Sequence, residues 1–207
     1  MSPGNAQVAV VVGTDPVAPA LARRLRTEGL RVCLVGADPA DGAHADWALP
    51  GDPTDVDVQS RVVRAVVDRW GRLDLLVVHT PEPAPGSLLE CDPIAFRALV
   101  RGWVAAPLGW AQRAYWLAMA DGGGRVLHLA TTVGAGRVAL GAAMLRGLTG
   151  LIAAEVAPEV RVNGLTAPQG TDPELFADLA YLLSRSAVAS GEVVEAGTAA
   201  DQLEQVA

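Results

Sequence analysis

Val8–Val12 is an unbroken apolar, mostly β-branched run closed by Gly13, after which Val17, Leu21 and Leu25 recur at helical spacing up to Gly29. This pattern predicts strand, turn and helix. It repeats along the chain, with strands expected at Val32–Val35, Leu73–Val78, Arg125–Ala130, Val160–Leu165 and Glu192–Val194, and a weaker one at Trp47–Leu49. Helices are expected over Val17–Glu28, Val56–Trp70, Pro93–Met119, Val138–Val156 and Pro173–Leu183. The strand runs are apolar at both parities, as required when helices cover both faces of a sheet. Strands alternating with helices imply parallel pairing, hence an α/β chain with a doubly wound parallel sheet of about seven strands. One domain over 1–197 is expected, followed by a small acidic tail at 198–207 that frays.

Composition narrows the function classes. The formal net charge is −7 and no basic cluster exceeds Arg23-Arg24, which argues against nucleic acid or an anionic membrane as partner. All basic residues other than histidine are arginine, and no lysine occurs anywhere. Schiff-base chemistry, a P-loop lysine and a lysine that lowers a neighbour's pKa are therefore excluded. The stretch before Val8 carries no basic region, and Val8–Val12 is too short for a signal or a membrane span, so a cytoplasmic protein is expected. Cys33, inside a strand, and Cys91, in a loop, have no metal-ligand spacing and are read as reduced thiols.

Four phrases in order, Gly71–Val78 (GRLDLLVV), Gly124–Gly134 (GRVLHLATTVG), Gly147–Pro168 (GLTGLIAAEVAPEVRVNGLTAP) and Gly191–Gly197 (GEVVEAG), resemble the short-chain dehydrogenase/reductase family over nearly the whole chain. The resemblance implies a Rossmann fold, NAD(P) as cofactor, hydride transfer between an alcohol and a carbonyl, and pairing through two long helices. Catalysis in that family uses Asn, Ser, Tyr and Lys. The asparagine position matches Leu99 and the serine position Thr131, while the Tyr-x-x-x-Lys positions match Val138 and Ala142. Val and Ala transfer no proton, so the usual general acid is missing. The substrate-covering segment after Pro168 is largely missing too, giving a degenerate and shortened member of the family.

The cofactor positions diverge in the same way. Of the glycine fingerprint only Gly13 is kept, and the turn runs on as Thr14-Asp15-Pro16-Val17-Ala18-Pro19. Such a turn holds a pyrophosphate through free N–H groups at a helix N-terminus. Here Pro16 and Pro19 contribute none, and Asp15 places a negative charge where phosphates would sit. The same residues make a good helix start without a ligand, with Thr14 or Asp15 as N-cap and Pro16 in the first helical position. The ribose-binding acid matches Gly36, with Asp38 nearby, and Asp52 matches the adenine-contacting aspartate but is followed by Pro53, which has no N–H. No cofactor is expected, and NAD(P) if any.

Two readings of the retained polar groups remain. His79 and His128 lie on strands that neighbour each other in this fold, so with Thr80, Thr131 and Thr132 they can form a cofactor-independent site for elimination, isomerisation or hydration; alternatively His128 is a core residue and His79 a loop residue. Leu99, Trp103, Ala106 and Trp110 form one stripe, with Tyr115 and Trp116 beyond it, and the helix at 138–156 is uncharged over Ala139–Ala154 apart from Arg146. These helices at 93–119 and 138–156 are the expected pairing surface of a homo- or hetero-oligomer. The leading reading is a non-catalytic subunit beside an intact homologue. The alternatives are a cofactor-independent lyase or isomerase using His79 and Thr131, or an atypical NAD(P)-dependent oxidoreductase.

Overall fold

The structure, a computed structural model, describes residues 6–36, 39–80, 86–131 and 136–196. Thr132, Asp38 and the tail at 198–207 lie outside them. The strands are β1 (Val8–Val12), β2 (Arg31–Val35), β3 (Trp47–Leu49), β4 (Leu75–Thr80), β5 (Gly124–Thr131), β6 (Val160–Ala167) and β7 (Val193–Glu195). They form one sheet in the order β3-β2-β1-β4-β5-β6-β7, and every pair is parallel. The expected doubly wound sheet of seven strands is therefore present. Strand order reverses between β1 and β4, which places the ligand-binding crevice of this architecture beyond their C-terminal ends.

Side-chain alternation divides the core. Leu75 and Val77 of β4 face α1 (Val17–Thr27) and α6 (Pro173–Arg185), whose Leu21, Leu25 and Phe176 are buried. Leu76 and Val78 face the other layer, with α2 (Val56–Trp70), α4 (Ala106–Ala114) and α5 (Arg137–Val156). Burying each large apolar side chain contributes about 1.5–3 kcal/mol. Helix starts follow an aspartate rule: Asp55, Asp92 and Asp172 each accept a backbone N–H in the first turn of α2, α3 (Pro93–Val100) and α6. The two N–H groups of Ala95 and Ile94 hold the Asp92 carboxyl below the usual carboxylate range.

The helix expected over Pro93–Met119 is present but is interrupted by π-turns at Arg101–Ala105 and Tyr115–Met119. The first has a local cause. Pro107 has no N–H to donate to Trp103 and its ring crowds that carbonyl, so the chain shifts register just before it, with Ala106 N–H donating to Arg101 O. α5 is long and apolar enough to cross a membrane by composition, yet it packs along β6 with Leu145 and Thr149 fully buried. Arg125 and Arg161 lie side by side in register, and their like charges are accommodated at the negative end of α6, where each donates to a carbonyl, Ser184 O and Ser186 O, at 2.8 Å.

Trp103, on the first π-turn, packs against α5 at Gly141, where a Cβ would sit 2.8 Å from the nearest indole carbons. On the same helix Gly147 has nothing within 4 Å. Alanine at either position improves helix propensity by about 0.5–1 kcal/mol. At Gly141 overpacking costs roughly 1–3 kcal/mol and dominates. Urea unfolding is expected to give a net loss of about 1 kcal/mol for Gly141→Ala and a gain for Gly147→Ala.

Candidate functional site

β1 ends at Gly13, whose N–H donates to Val35 O at 3.0 Å. A Cβ on Gly13 would lie 2.9 Å from Ala18 Cβ and 3.2 Å from His79 Cβ, so the glycine lets α1 descend onto β4. Helix α1 begins at Val17, as the hydrophobic spacing suggests, but with Pro16 rather than Thr14 or Asp15 in the N-cap position. The capping acceptor is still Asp15: its Oδ1 accepts the Val17 N–H at 2.9 Å, and its carbonyl accepts Ala18 N–H at 3.3 Å. Ala20 N–H is taken by Pro16 O, and Pro16 and Pro19 have no N–H, so from Pro16 through Ala20 no backbone donor is free.

The second oxygen of Asp15, Oδ2, contacts Nδ1 of His79 at ion-pairing distance, without the alignment of a hydrogen bond. His79 is buried at 5% exposure, Phe176 meets its ring edge-on at 5.9 Å, and its Nε2 has no hydrogen-bond partner among the described residues. Beside Asp15, between the starts of α1 and α6, lies an open cleft of about 370 Å³. Asp15, Asp172 and Glu174 line it together with His44 and with Arg23, which is paired to Glu174, so carboxylates outnumber arginines in its lining.

At the end of β2, Gly36 has φ +87°, and a Cβ there would meet Pro53 Cγ at 2.8 Å and Thr14 Cγ2 at 3.3 Å. Pro53 is itself held from behind, its carbonyl accepting Trp110 Nε1 at 2.9 Å and Gln59 Nε2 at 3.1 Å. Asp52 is exposed and committed to its own turn: Oδ1 accepts both the N–H and the hydroxyl of Thr54, and these bonds lower its pKa, with Arg101 a weaker contributor at 3.5 Å.

The structure separates the two histidines. Registers pair Val78 with His128 and His79 with Leu129, so His79 faces α6 while His128 faces α5, and a joint site of both is corrected to two unrelated environments. His128 is a core residue: fully buried, its Nδ1 is 3.0 Å from Thr149 Oγ1, and burial lowers its pKa to about 4. Thr131, half-buried at the end of β5, lies two positions beyond the partner of His79 on the adjacent strand and on the same face by parity. Thr80 is buried on the opposite face, its hydroxyl unpaired among the described residues.

Leu99 packs with Trp103, Ala130 and Leu145 in a separate apolar cluster, and Val138 is also buried. Leu99, Trp103, Ala106 and Trp110 are all at most 6% exposed, so this stripe fills the core. The apolar groups that do face outward on these helices are Ile94, Phe96, Trp116 and Leu151. Cys33 is buried, with its thiol pushed up to about 12, and both cysteines are free. Among the described residues no three His, Cys, Asp or Glu side chains group to hold a metal. Sequence reasoning did not anticipate the Asp15–His79 contact or the placement of Trp103; the only local signal for the first was an aspartate directly before Pro16.

The low pKa of His128 makes stability pH-dependent. The unfolded chain takes up this proton near pH 6.5 and the folded chain only near pH 4, so the stabilisation is complete above pH 6.5 and is lost as pH falls toward 4. The loss amounts to about 3 kcal/mol. Denaturant unfolding from pH 7 to 4 is expected to show a steeper decline for wild type than for His128→Gln.

No protein-family model and no curated protein sequence matches this chain. Solved structures do. A short chain dehydrogenase from Mycobacterium smegmatis aligns with TM-score 0.80 and 21% identity, over 93% of this chain and 92% of that one. YwfH, an NADPH dependent reductase involved in bacilysin biosynthesis, aligns with TM-score 0.82 and 18% identity, over 92% and 98%. A short-chain dehydrogenase/reductase from Serratia marcescens aligns with TM-score 0.78 and 23% identity, over 91% and 94%. With the seven-stranded parallel sheet and its helical layers, these likenesses establish that the chain has the short-chain dehydrogenase/reductase fold.

Proposed function

We propose that this chain does not transfer hydride and works as a non-catalytic subunit, paired with a chain of the same fold that does. The observation that carries the reading is the state of the crevice. The first turn of α1 has its donors used, Asp15 stands in the phosphate position, and Pro53 and Thr14 close on Gly36. These residues do not fit a dinucleotide. Trp103 and its apolar neighbours Leu99, Ala130 and Leu145 occupy the junction of α3, β5 and α5, and the resemblance puts Val138 and Ala142 where a proton donor and its lysine belong. The connection from β6 to α6 spans only 168–172, which leaves little chain there to cover a substrate.

The pairing half of the proposal rests on the outer face of the two long helices. Ala139, Ala143, Gly147, Leu151 and Ala154 of α5 are exposed in one stripe, and Leu151 is 68% exposed. Beside it Trp116, 74% exposed, borders a groove of about 190 Å³ lined by Leu108, Tyr115, Ile152 and Val156. Small residues allow close helix approach, and an exposed tryptophan is a favoured interface anchor.

A second reading, a cofactor-independent lyase or isomerase, is favoured by one observation. His79 contacts Asp15 and shares its face of the sheet with Thr131, the arrangement of an imidazole oriented by a carboxylate beside a hydroxyl. The NADPH-dependent reductase activity of YwfH favours a third reading, in which NAD(P) is still used.

Thermal unfolding with NADH and with NADPH tests the first part. Binding at about 100 times Kd would raise Tm by roughly 5–10 °C, and no shift is expected with either nucleotide. A rise of that size would replace the proposal with the oxidoreductase reading. Light scattering after gel filtration, alone and with co-purifying chains, tests the second part. Wild type is expected in an assembly that Leu151→Glu dissociates while remaining folded, and a wild-type chain that stays monomeric with no co-purifying chain of this fold would overturn it.

A further inference from the structure

We infer that the carboxylate of Asp15 is a built-in occupant of the anion position at the start of α1, accepting the Val17 N–H and lying against the His79 ring. The inference rests on the reading above that no dinucleotide is bound. A helix N-terminus carries a partial positive charge and attracts an anion. Here each carboxylate oxygen has its own partner. Oδ1 accepts the Val17 N–H at 2.9 Å, and Oδ2 lies against His79 Nδ1.

The second observation is His79 itself. At 5% exposure, it has no hydrogen-bond partner for either ring nitrogen among the described residues, and the Asp15 contact is the one ion pair shown for it. A buried polar group without such a contact is costly, so the Asp15 carboxylate is the group that compensates the burial of His79. From Pro16 to Ala20 the backbone offers nothing further to a competitor: Ala18 N–H is held by the Asp15 carbonyl, Ala20 N–H by the Pro16 carbonyl, and Pro16 and Pro19 have no N–H. An incoming phosphate would also approach through a cleft where Asp172 and Glu174 stand beside His44 and where Arg23 is already paired to Glu174. An anion supplied by the chain itself is therefore favoured over a diffusing one, and removing its carboxylate exposes the Val17 and His79 pair to that cleft.

Inorganic pyrophosphate is the probe, followed by thermal unfolding of wild type, Asp15→Asn, Asp15→Ala and the double variant Asp15→Ala/His79→Ala. Wild type and Asp15→Asn, which keeps the position filled, are expected to be indifferent. Asp15→Ala is expected to gain roughly 3–6 °C in Tm at about ten times Kd, and the double variant to lose that gain. If Asp15→Ala does not fold, Asp15→Ser retains a capping hydroxyl and is read the same way. Pyrophosphate stabilising wild type as much as Asp15→Ala, or a folded Asp15→Ala or Asp15→Ser that ignores it, overturns the inference. NADH stabilising wild type overturns the reading beneath it, whereas a wild type indifferent to NADH with unresponsive Asp15 variants overturns the inference alone.

Discussion

The close approach of α1 to β4 at Gly13 is the contact on which the rest of the crevice depends. Only a residue without a Cβ fits between Ala18 and His79, and once α1 is seated there its start is brought against the end of β4. Asp15 then reaches both the Val17 N–H and the His79 ring. In this architecture the same turn serves anionic ligands, because glycine permits close backbone approach and the helix start supplies donors. This chain keeps the steric half of that device at Gly13. Its prolines and Asp15 use up the donor half.

The changes around the crevice agree with one another. Pro53 sits against Gly36 and is anchored from behind by Trp110 and Gln59, so it belongs to the core packing rather than to a loose loop. Trp103 is set by the π-turn that Pro107 requires and is accommodated by Gly141 across the helix pair. Pro53 and Trp103 thus bring packed apolar groups to the two sides of the crevice. The subunit proposal joins this crevice to an outer helix face whose apolar residues are uncovered.

Much of the fold was legible in the sequence. The β-branched run at Val8–Val12, the short apolar stretch Trp47–Leu49 and the periodic stretch Val56–Trp70 match the observed elements residue for residue, and the remaining boundaries differ by only a few positions. Aspartates before the helices, with proline following Asp92 and Asp172, marked their starts, because a capping carboxylate and a fixed φ act within a few residues. The π-turns were not legible as such, since a helix that shifts register keeps nearly the same hydrophobic spacing.

What the sequence determined by itself is the set of local patterns and the chemistry that cannot occur: a parallel α/β sheet, and no side-chain amine anywhere in the chain. Tertiary structure alone decided which polar groups meet and which apolar faces are covered. His79 and His128 sit on adjacent strands, but opposite pleats send one to Asp15 and the other to Thr149. The stripe from Leu99 to Trp110 turned toward the sheet and left Ile94, Phe96, Trp116 and Leu151 outside. The physical reason is that a helix apolar over most of its circumference does not specify its buried face; the position of the sheet does.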